Sequence, residues 1–593
     1  MTGEGTPGSD RQAFGESRAL LGIAVCLAAL AAALVVPVRL ARWPVTPYYA
    51  VGYLSDEYNY VERLNELPAG AHSGNPYNRF GDPNVISPFL LDTCCRAFIS
   101  LTGLDIFAFF WIWRFLFPLA LLAMLTWLAR ETLRERSPAL RRAAAGAALA
   151  LLYLLSHVLV DCQAKYHVDG YMPIFFFLNR IPTNIEFLLA LLLLTLYVRF
   201  LDRPVLAAGV WLALAGALTV YLRPYAALPW GMTIGLGVLF LLVRHKVTVR
   251  FCLLLSVLFA VALLPLVALS ACNRASPAYR EQLQRLFRTP FPYSVHERWW
   301  LFLLIAGIVA AAAWLMTARG RIVALSGAAT LAALPFICGL IQPAARELLM
   351  GDRFGCFHTV LLIGAGMLVV NNRYGIETSA LRERRWSIRI ASLGLCAALA
   401  VGLVSWRFRI GGENGLYHPN FVTRDAHCFD AYRWVAQNTP RDALVLVDEG
   451  YNWSTRVSGP GQAQARSASF AFYHHDLFSA LAHRQRVFCF NLYVQTLTDA
   501  QIAQLSALQG GTFGSRLNPL RYVTLLQNYR PDYVLWHRVP PVFEADGLVP
   551  VPRSENGRLL QSCSTVVYKD QYTEVWALDY GRIDNLKVLE NKE

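Results

Sequence analysis

The sequence predicts a polytopic α-helical membrane protein, with about eleven transmembrane helices and a C-terminal extracytoplasmic α/β domain. Three observations carry this. Hydrophobic residues make up 55% of the 593 and charged residues only 16%, with a mean hydropathy of +0.37. Soluble domains average about 25% charged residues, so a single soluble globule and a disordered chain are both excluded. Apolar runs of about 20 residues, the length that crosses a bilayer, recur along the chain. Basic residues collect in alternate loops between those runs. The net charge of +14 comes mostly from Arg, the only lysines being Lys165, Lys246, Lys569, Lys587 and Lys592. It reads as membrane topology and not as a nucleic-acid surface. Twelve Cys are too few for a disulfide scaffold.

Taken in order, residues 1–17 are Gly, Ser and charge, and predict a disordered cytoplasmic tail. The spans fall at 19–40, 106–129, 143–160, 184–201, 205–222, 225–243, 251–271, 299–317, 322–341, 355–371 and 388–406. The first is too long for a signal peptide and no clean cleavage site follows it. Segments 130–142 (RETLRERSPALRR), 244–250 (RHKVTVR), 317–321 (TARGR) and 372–389 are basic. With the N-terminus inside, all four face the cytoplasm. The outside loop 272–298 breaks that rule with Arg274, Arg280, Arg285, Arg288 and Arg298; its spacing predicts an amphipathic helix on the membrane surface. The membrane domain is thus 18–406, with a long first outside loop over 41–105.

Residues 407–593 have soluble composition. Short apolar runs (ALVLVDE, DYVLWHR, STVVYKD, TEVWALDY) alternate with helical patterns such as 428–438. About 187 residues suffice for a separate core.

The first outside loop opens GYLSDEYNYVERLNELP, placing Asp56 and Glu57 just beyond the first span. A carboxylate there can stay solvated at the water–lipid boundary, where a lipid head group would sit. The same SDE also reads as a helix N-terminus. The second outside loop, 161–184, sets Asp161, Lys165, His167, Asp169 and Arg180 between apolar walls. Arg223 in YLRPY lies at the outer end of a span, and Arg353 in GDRFGCF just before the tenth. Arg is permanently charged and bidentate to phosphate; it also snorkels routinely.

The inside N-terminus, the long first loop with its early Asp56-Glu57 pair, Tyr60 and Glu62, and the Leu/Phe-rich second span with Arg114 resemble GT-C glycosyltransferases. The likeness is to the bacterial aminoarabinose-, mannosyl- and arabinosyltransferase branches. Tail segments AYRWVAQNTPRDALVLVDE and NYRPDYVLWHR are similar to extracytoplasmic tails of that family. The resemblance implies an inverting enzyme of a bacterial inner membrane, with its site facing the periplasm, acting in the cell envelope. It would move a sugar from a polyprenyl-phosphate donor to a glycan, lipid or protein acceptor. It implies Asp56 as general base with Glu57 as second choice. Asp169, or Asp161, would orient the acceptor or a metal. Arg353, Arg223, Lys165 and Arg180 would hold the donor phosphate. A divalent metal stays open, and no other cofactor is called for.

His474-His475-Asp476 lacks a third ligand at metal spacing and reads as a surface loop. Neither a Walker A nor a Rossmann glycine motif occurs, which disfavours a nucleotide-sugar donor. Two other functions fit the same pattern: a lipid-linked saccharide transporter, and a membrane scaffold binding a partner through its C-terminal domain. The transporter predicts charges mid-span; the scaffold predicts indifference to loss of Asp56.

Overall fold

The computed structural model describes residues 90–149, 181–288, 299–345, 355–373, 430–447, 484–487, 497–538 and 554–590, apart from 105, 137, 139, 514–516 and 572, and also 80, 152, 478 and 482. The predicted spans 19–40 and 388–406, and nearly all of 143–160 beyond residue 149, lie outside these residues.

Helix α1 covers Leu90–Thr102. It stops at Gly103, whose φ of +65° is open to glycine and whose N–H closes on the Ile99 carbonyl at 2.9 Å. A helical bundle follows: α2 Ile106–Thr132, α3 140–149, α4 Ile181–Asp202, α5 Leu206–Leu222, α6 Pro224–Val243, α7 Val249–Arg274, α8 Pro277–Arg288, α9 Trp299–Ala313, α10 Ala318–Ala345 and α11 Gly355–Arg373. Its Leu- and Ala-rich runs favour helix, and helix satisfies every interior backbone group without water.

Several boundaries shift from the sequence reading by about a turn or less, and two of them meet at one junction. The expected loop 317–321 is mostly helix, because the Thr317 hydroxyl accepts the Gly320 N–H at 3.4 Å and starts α10 early. The expected span 299–317 ends as α9 at Ala313, in a tight turn where Trp314, Leu315 and Met316 donate to the carbonyls three residues back. The amphipathic segment of the 272–298 loop is α8.

Side-chain bonds show which termini share an end. Arg319 pairs with Asp202 and donates to the Thr132 carbonyl at 3.1 Å. Arg136 donates to the Asn371 carbonyl, and Asn372 to that of Leu315 at 3.1 Å. Phe200 stacks on Phe251 with 6.1 Å between ring centres. The ends of α2, α4, α9 and α11 and the starts of α7 and α10 therefore meet at one basic end of the bundle.

Among the described residues, four helical segments are long and apolar enough to cross a membrane: Asn184–Asp202, Ala226–Val243, Val249–Arg274 and Ala318–Ile337. Helix α7 leaves Leu253, Leu254, Val257, Val261, Leu264 and Val267 exposed. So continuous an apolar face is stable in lipid and not in water.

Inside the bundle several buried polar side chains bond one another. Tyr197 is buried, with its hydroxyl 3.1 Å from that of Ser326. The Thr233 hydroxyl donates to Thr330 at 3.0 Å.

The C-terminal part is a five-stranded sheet in the order β2-β1-β3-β5-β4. Helix α12 (430–438) leads into β1 Leu444–Val447 and β2 Gln485–Arg486. Helices α13 Asp499–Phe513 and α14 Pro519–Tyr529 precede β3 Tyr533–His537. Then come α15 Glu555–Ser562, β4 Ser564–Lys569, β5 Thr573–Leu578 and α16 Tyr580–Glu590. Strands β2, β1 and β3 are parallel; β5 is antiparallel to β3 and to β4.

The period-two alternation builds two cores. Leu444, Leu446, Val534 and Trp576 point to the layer of α13, α14, α15 and α16. Val445, Val447, Leu535 and Val575 point to that of α12. Arg484, nearly buried, closes the end of α12 by donating to the carbonyls of Thr439 (2.6 Å) and Ala436 (2.8 Å).

Close packing in the bundle rests on glycine at α6. A methyl group at Gly237 would sit 1.7 Å from the Tyr197 hydroxyl, whereas one at Gly235 would meet nothing within 4 Å. Gly237→Ala is expected to cost about 1–3 kcal/mol by forcing Tyr197 from Ser326. Gly235→Ala is expected to be neutral or slightly stabilising through helix propensity. Thermal unfolding of the two variants in detergent checks this; equal midpoints would refute the close approach.

Candidate functional site at the domain end of the bundle

The end opposite the basic one carries the first turns of α4 and α11 and the turn between α5 and α6. That turn is a single residue, Arg223. Pro224, which lacks an N–H and suits the first position of a helix, starts α6 at once. The Arg223 N–H still bonds the Thr219 carbonyl at 2.7 Å. Its guanidinium reaches Glu186 on α4, and Nε (3.0 Å) and Nη2 (2.8 Å) both donate to Oε2. The side chains are 12% and 3% exposed.

A carboxylate this buried needs its partner, since an unpaired buried charge is far costlier than a buried pair. Asn184, two residues before Glu186, is buried too, and aromatic contacts join the opening turns of α6, α9 and α11 at this end. Trp230 of α6 meets Phe357 of α11 edge-on at 5.0 Å, and Phe302 of α9 meets His358 at 4.6 Å.

The sheet domain docks at this same end. Phe109 of α2 belongs to one buried cluster with Ala431, Tyr432, Val445 and Val575, and Ile185, beside Glu186, packs against it. Glu281 of α8 accepts the Asp499 N–H at 2.6 Å, setting an acid against the first turn of α13. Phe80 meets Tyr529 edge-on at 4.8 Å, and its carbonyl accepts from Gln501 at 3.0 Å. The Glu186–Arg223 pair therefore sits where bundle and domain join.

Of the residues to which the resemblance gives a role in the site, Arg223 is the one that lies among the described residues. Asp56, Glu57, Asp161, Lys165, Asp169, Arg180 and Arg353 lie outside the described residues. Two of them precede described helices: Ile181, after Arg180, starts α4, and Gly355, two after Arg353, starts α11. Both helix starts belong to the end that holds Arg223. Among the described residues no group of three or more His, Cys, Asp or Glu is arranged to hold a metal ion. His474, His475 and Asp476 lie outside them.

Sequence reading passed over Glu186, taking 184–201 as one apolar span among eleven. A lone acid at the mouth of an apolar run is the signal that could have found it.

Removing one partner of this pair is expected to cost about 3–5 kcal/mol, because the other charge stays buried. Glu186→Gln and Arg223→Met should each lower the unfolding midpoint sharply. The double variant should recover much of the loss. Additive losses would show that the two side chains act independently.

No protein-family model matches the chain, and neither does any curated protein. Among solved structures, the chain is similar to the Archaeoglobus fulgidus oligosaccharyltransferase in its apo form, at 11% identity and a TM-score of 0.43. It is also similar to that enzyme tethered with an acceptor peptide containing the NVT sequon, at 12% identity and a TM-score of 0.33. Each match covers 87% of this chain and 69% of the other. At these values the likeness bears on neither residues nor chemistry.

Proposed function

We propose that this chain is a membrane glycosyltransferase of the GT-C type, taking a sugar from a polyprenyl-phosphate donor and passing it to a glycan, lipid or protein acceptor. The observation that carries the reading is the buried Glu186–Arg223 pair at the end of an apolar bundle where a separate α/β domain docks. In this reading a guanidinium anchored there meets a lipid-linked phosphate entering from the membrane. The segments bearing Lys165, Asp169, Arg180 and Arg353 join helices that open at this end. In this reading the site faces the periplasm of a bacterial inner membrane.

The chemistry is a single displacement. An acceptor O–H or N–H attacks the anomeric carbon as the bond from that carbon to the phosphate oxygen breaks. The bonding electrons leave with polyprenyl phosphate, and the acceptor proton passes to a carboxylate, Asp56 first and Glu57 second. One displacement inverts the anomeric centre. Arg353 and Arg223, with Lys165 and Arg180, offset the charge growing on the leaving phosphate. Asp169 orients the acceptor, directly or through a divalent metal. Glu186 acts through Arg223, holding its guanidinium in place.

The test is transfer in proteoliposomes, using a panel of radiolabelled polyprenyl-phosphate sugars with a membrane glycan extract. Wild type is expected to consume one donor, and Asp56→Ala to lower turnover by about 10²–10⁴-fold, the usual weight of a general base. Turnover unaffected in both Asp56→Ala and Glu57→Ala sinks the site assignment. Label that crosses the bilayer without being transferred assigns the chain to lipid-linked saccharide transport.

A further inference from the structure

Helix α1, Leu90–Thr102, turns at Gly103 into the start of α2, so it lies at the domain end of the bundle. It has three sides. Cys95 and Ile99, one turn apart, pack against the buried cluster that Phe109 shares with Tyr432, Val445 and Val575 of the sheet domain. Leu90, Cys94, Phe98 and Leu101, three or four residues apart and so on one stripe, are all exposed, Leu101 to 87%. The same spacing puts Asp92, Thr93, Arg96 and Ser100 on the third side. The helix also touches α5, which ends just before Arg223.

A single exposed Leu is ordinary on a soluble surface, but a stripe of apolar side chains beside an apolar bundle is not. Nor does the stripe stop at α1. Phe98 meets Phe109 of α2 with 5.7 Å between ring centres, and beyond Phe109 the side chains of Ile112, Leu116 and Leu119 are exposed at helical spacing. One apolar surface therefore continues from α1 onto the flank of the bundle, the surface that meets lipid when the bundle stands in a bilayer. With 13 residues α1 is about 20 Å long, too short to cross a hydrocarbon core of about 30 Å. A short helix with an apolar stripe beside a polar one lies in the plane of the membrane interface instead.

We propose that α1 is an in-plane membrane helix. Its stripe of Leu90, Cys94, Phe98 and Leu101 docks on the acyl chains of the leaflet at the domain end, while Cys95 and Ile99 on its other side hold the sheet domain against the bilayer. This surface requires only that the bundle stand in a bilayer, and it is independent of any sugar transfer.

The test uses the full chain in phosphatidylcholine liposomes, carrying one nitroxide spin label on a lone cysteine after the other thiols are replaced. Labels sit at Cys94 itself or at Phe98→Cys, Leu101→Cys, Ser100→Cys and Val261→Cys, the last on the exposed face of α7. Accessibility to oxygen, which concentrates in lipid, is compared with accessibility to a water-soluble nickel chelate. The ratio is expected to be about tenfold higher at 94, 98 and 101 than at 100, with the shallow depth of an interfacial helix, and highest at 261. Adding Leu101→Asp should bring the ratio at 94 down toward that at 100, whereas adding Ser100→Asp should leave it unchanged. A high ratio at 261 with water-like ratios at 94, 98 and 101 overturns the proposal. Water-like ratios at all five positions overturn it together with the bilayer placement of the bundle. Dipolar broadening between labels at 101 of two molecules identifies a second copy as the occupant and overturns it as well. If the chain stripped of its other thiols does not fold, wild type decides. Irradiated with phosphatidylcholine bearing a diazirine on its acyl chain, it should then carry lipid adducts within 90–102, and adducts on α7 alone overturn the proposal.

Discussion

A helix in an apolar medium must satisfy its own polar groups, and the bundle is arranged around that constraint. Several core polar side chains bond one another or the carbonyl a turn back, as with Tyr197 and Ser326, or Thr233, Thr330 and the Pro229 carbonyl. Charge is pushed to the two ends. At the basic end, Arg319 and Arg136 spend their donors on carbonyls at helix termini, which an α-helix leaves without internal partners. At the domain end, Arg223 spends its donors on Glu186. The first arrangement ties helices together at little electrostatic cost. The second places a full charge pair inside the protein, a poor device for stability alone, since apolar residues of similar volume often do as well.

The domain end also shows how two folding units become one protein. The α12 face of the sheet shares its core with Phe109 of the bundle, and Ile185 packs against it. Glu281 adds a directional bond, because an acid at the first turn of α13 meets the positive end of the helix dipole. Apolar contact holds the units together, and the hydrogen bond sets their orientation.

Much of this was legible in the sequence wherever the signal is local. The runs ALVLVDE, DYVLWHR, STVVYKD and TEVWALDY contain β1, β3, β4 and β5, since β-branched and aromatic runs between turn residues have few other solutions. The apolar runs at 184–201, 205–222, 225–243 and 251–271 contain or nearly match α4, α5, α6 and α7 for a similar reason. Strand β2 could not be read that way: two residues carry no periodicity, and pairing with β1 alone defines them. The Glu186–Arg223 pair joins residues 37 apart in the chain, so nothing local announces it. Arg484 closing α12 from beyond β1 is equally non-local.

That division bears on the chemistry. Periodicity reports which face of an element is buried, and it reports the same face whether a nearby charge is catalytic, structural or topogenic. Arg223 and Arg319 look alike in sequence, each a basic residue at the boundary of an apolar run. Their surroundings separate them. Arg223 is matched by a buried carboxylate on another helix at the end where the sheet domain docks, so its guanidinium is held in place there. Arg319 is shared between the Asp202 carboxylate and the Thr132 carbonyl, so it ties the ends of two other helices to the start of its own.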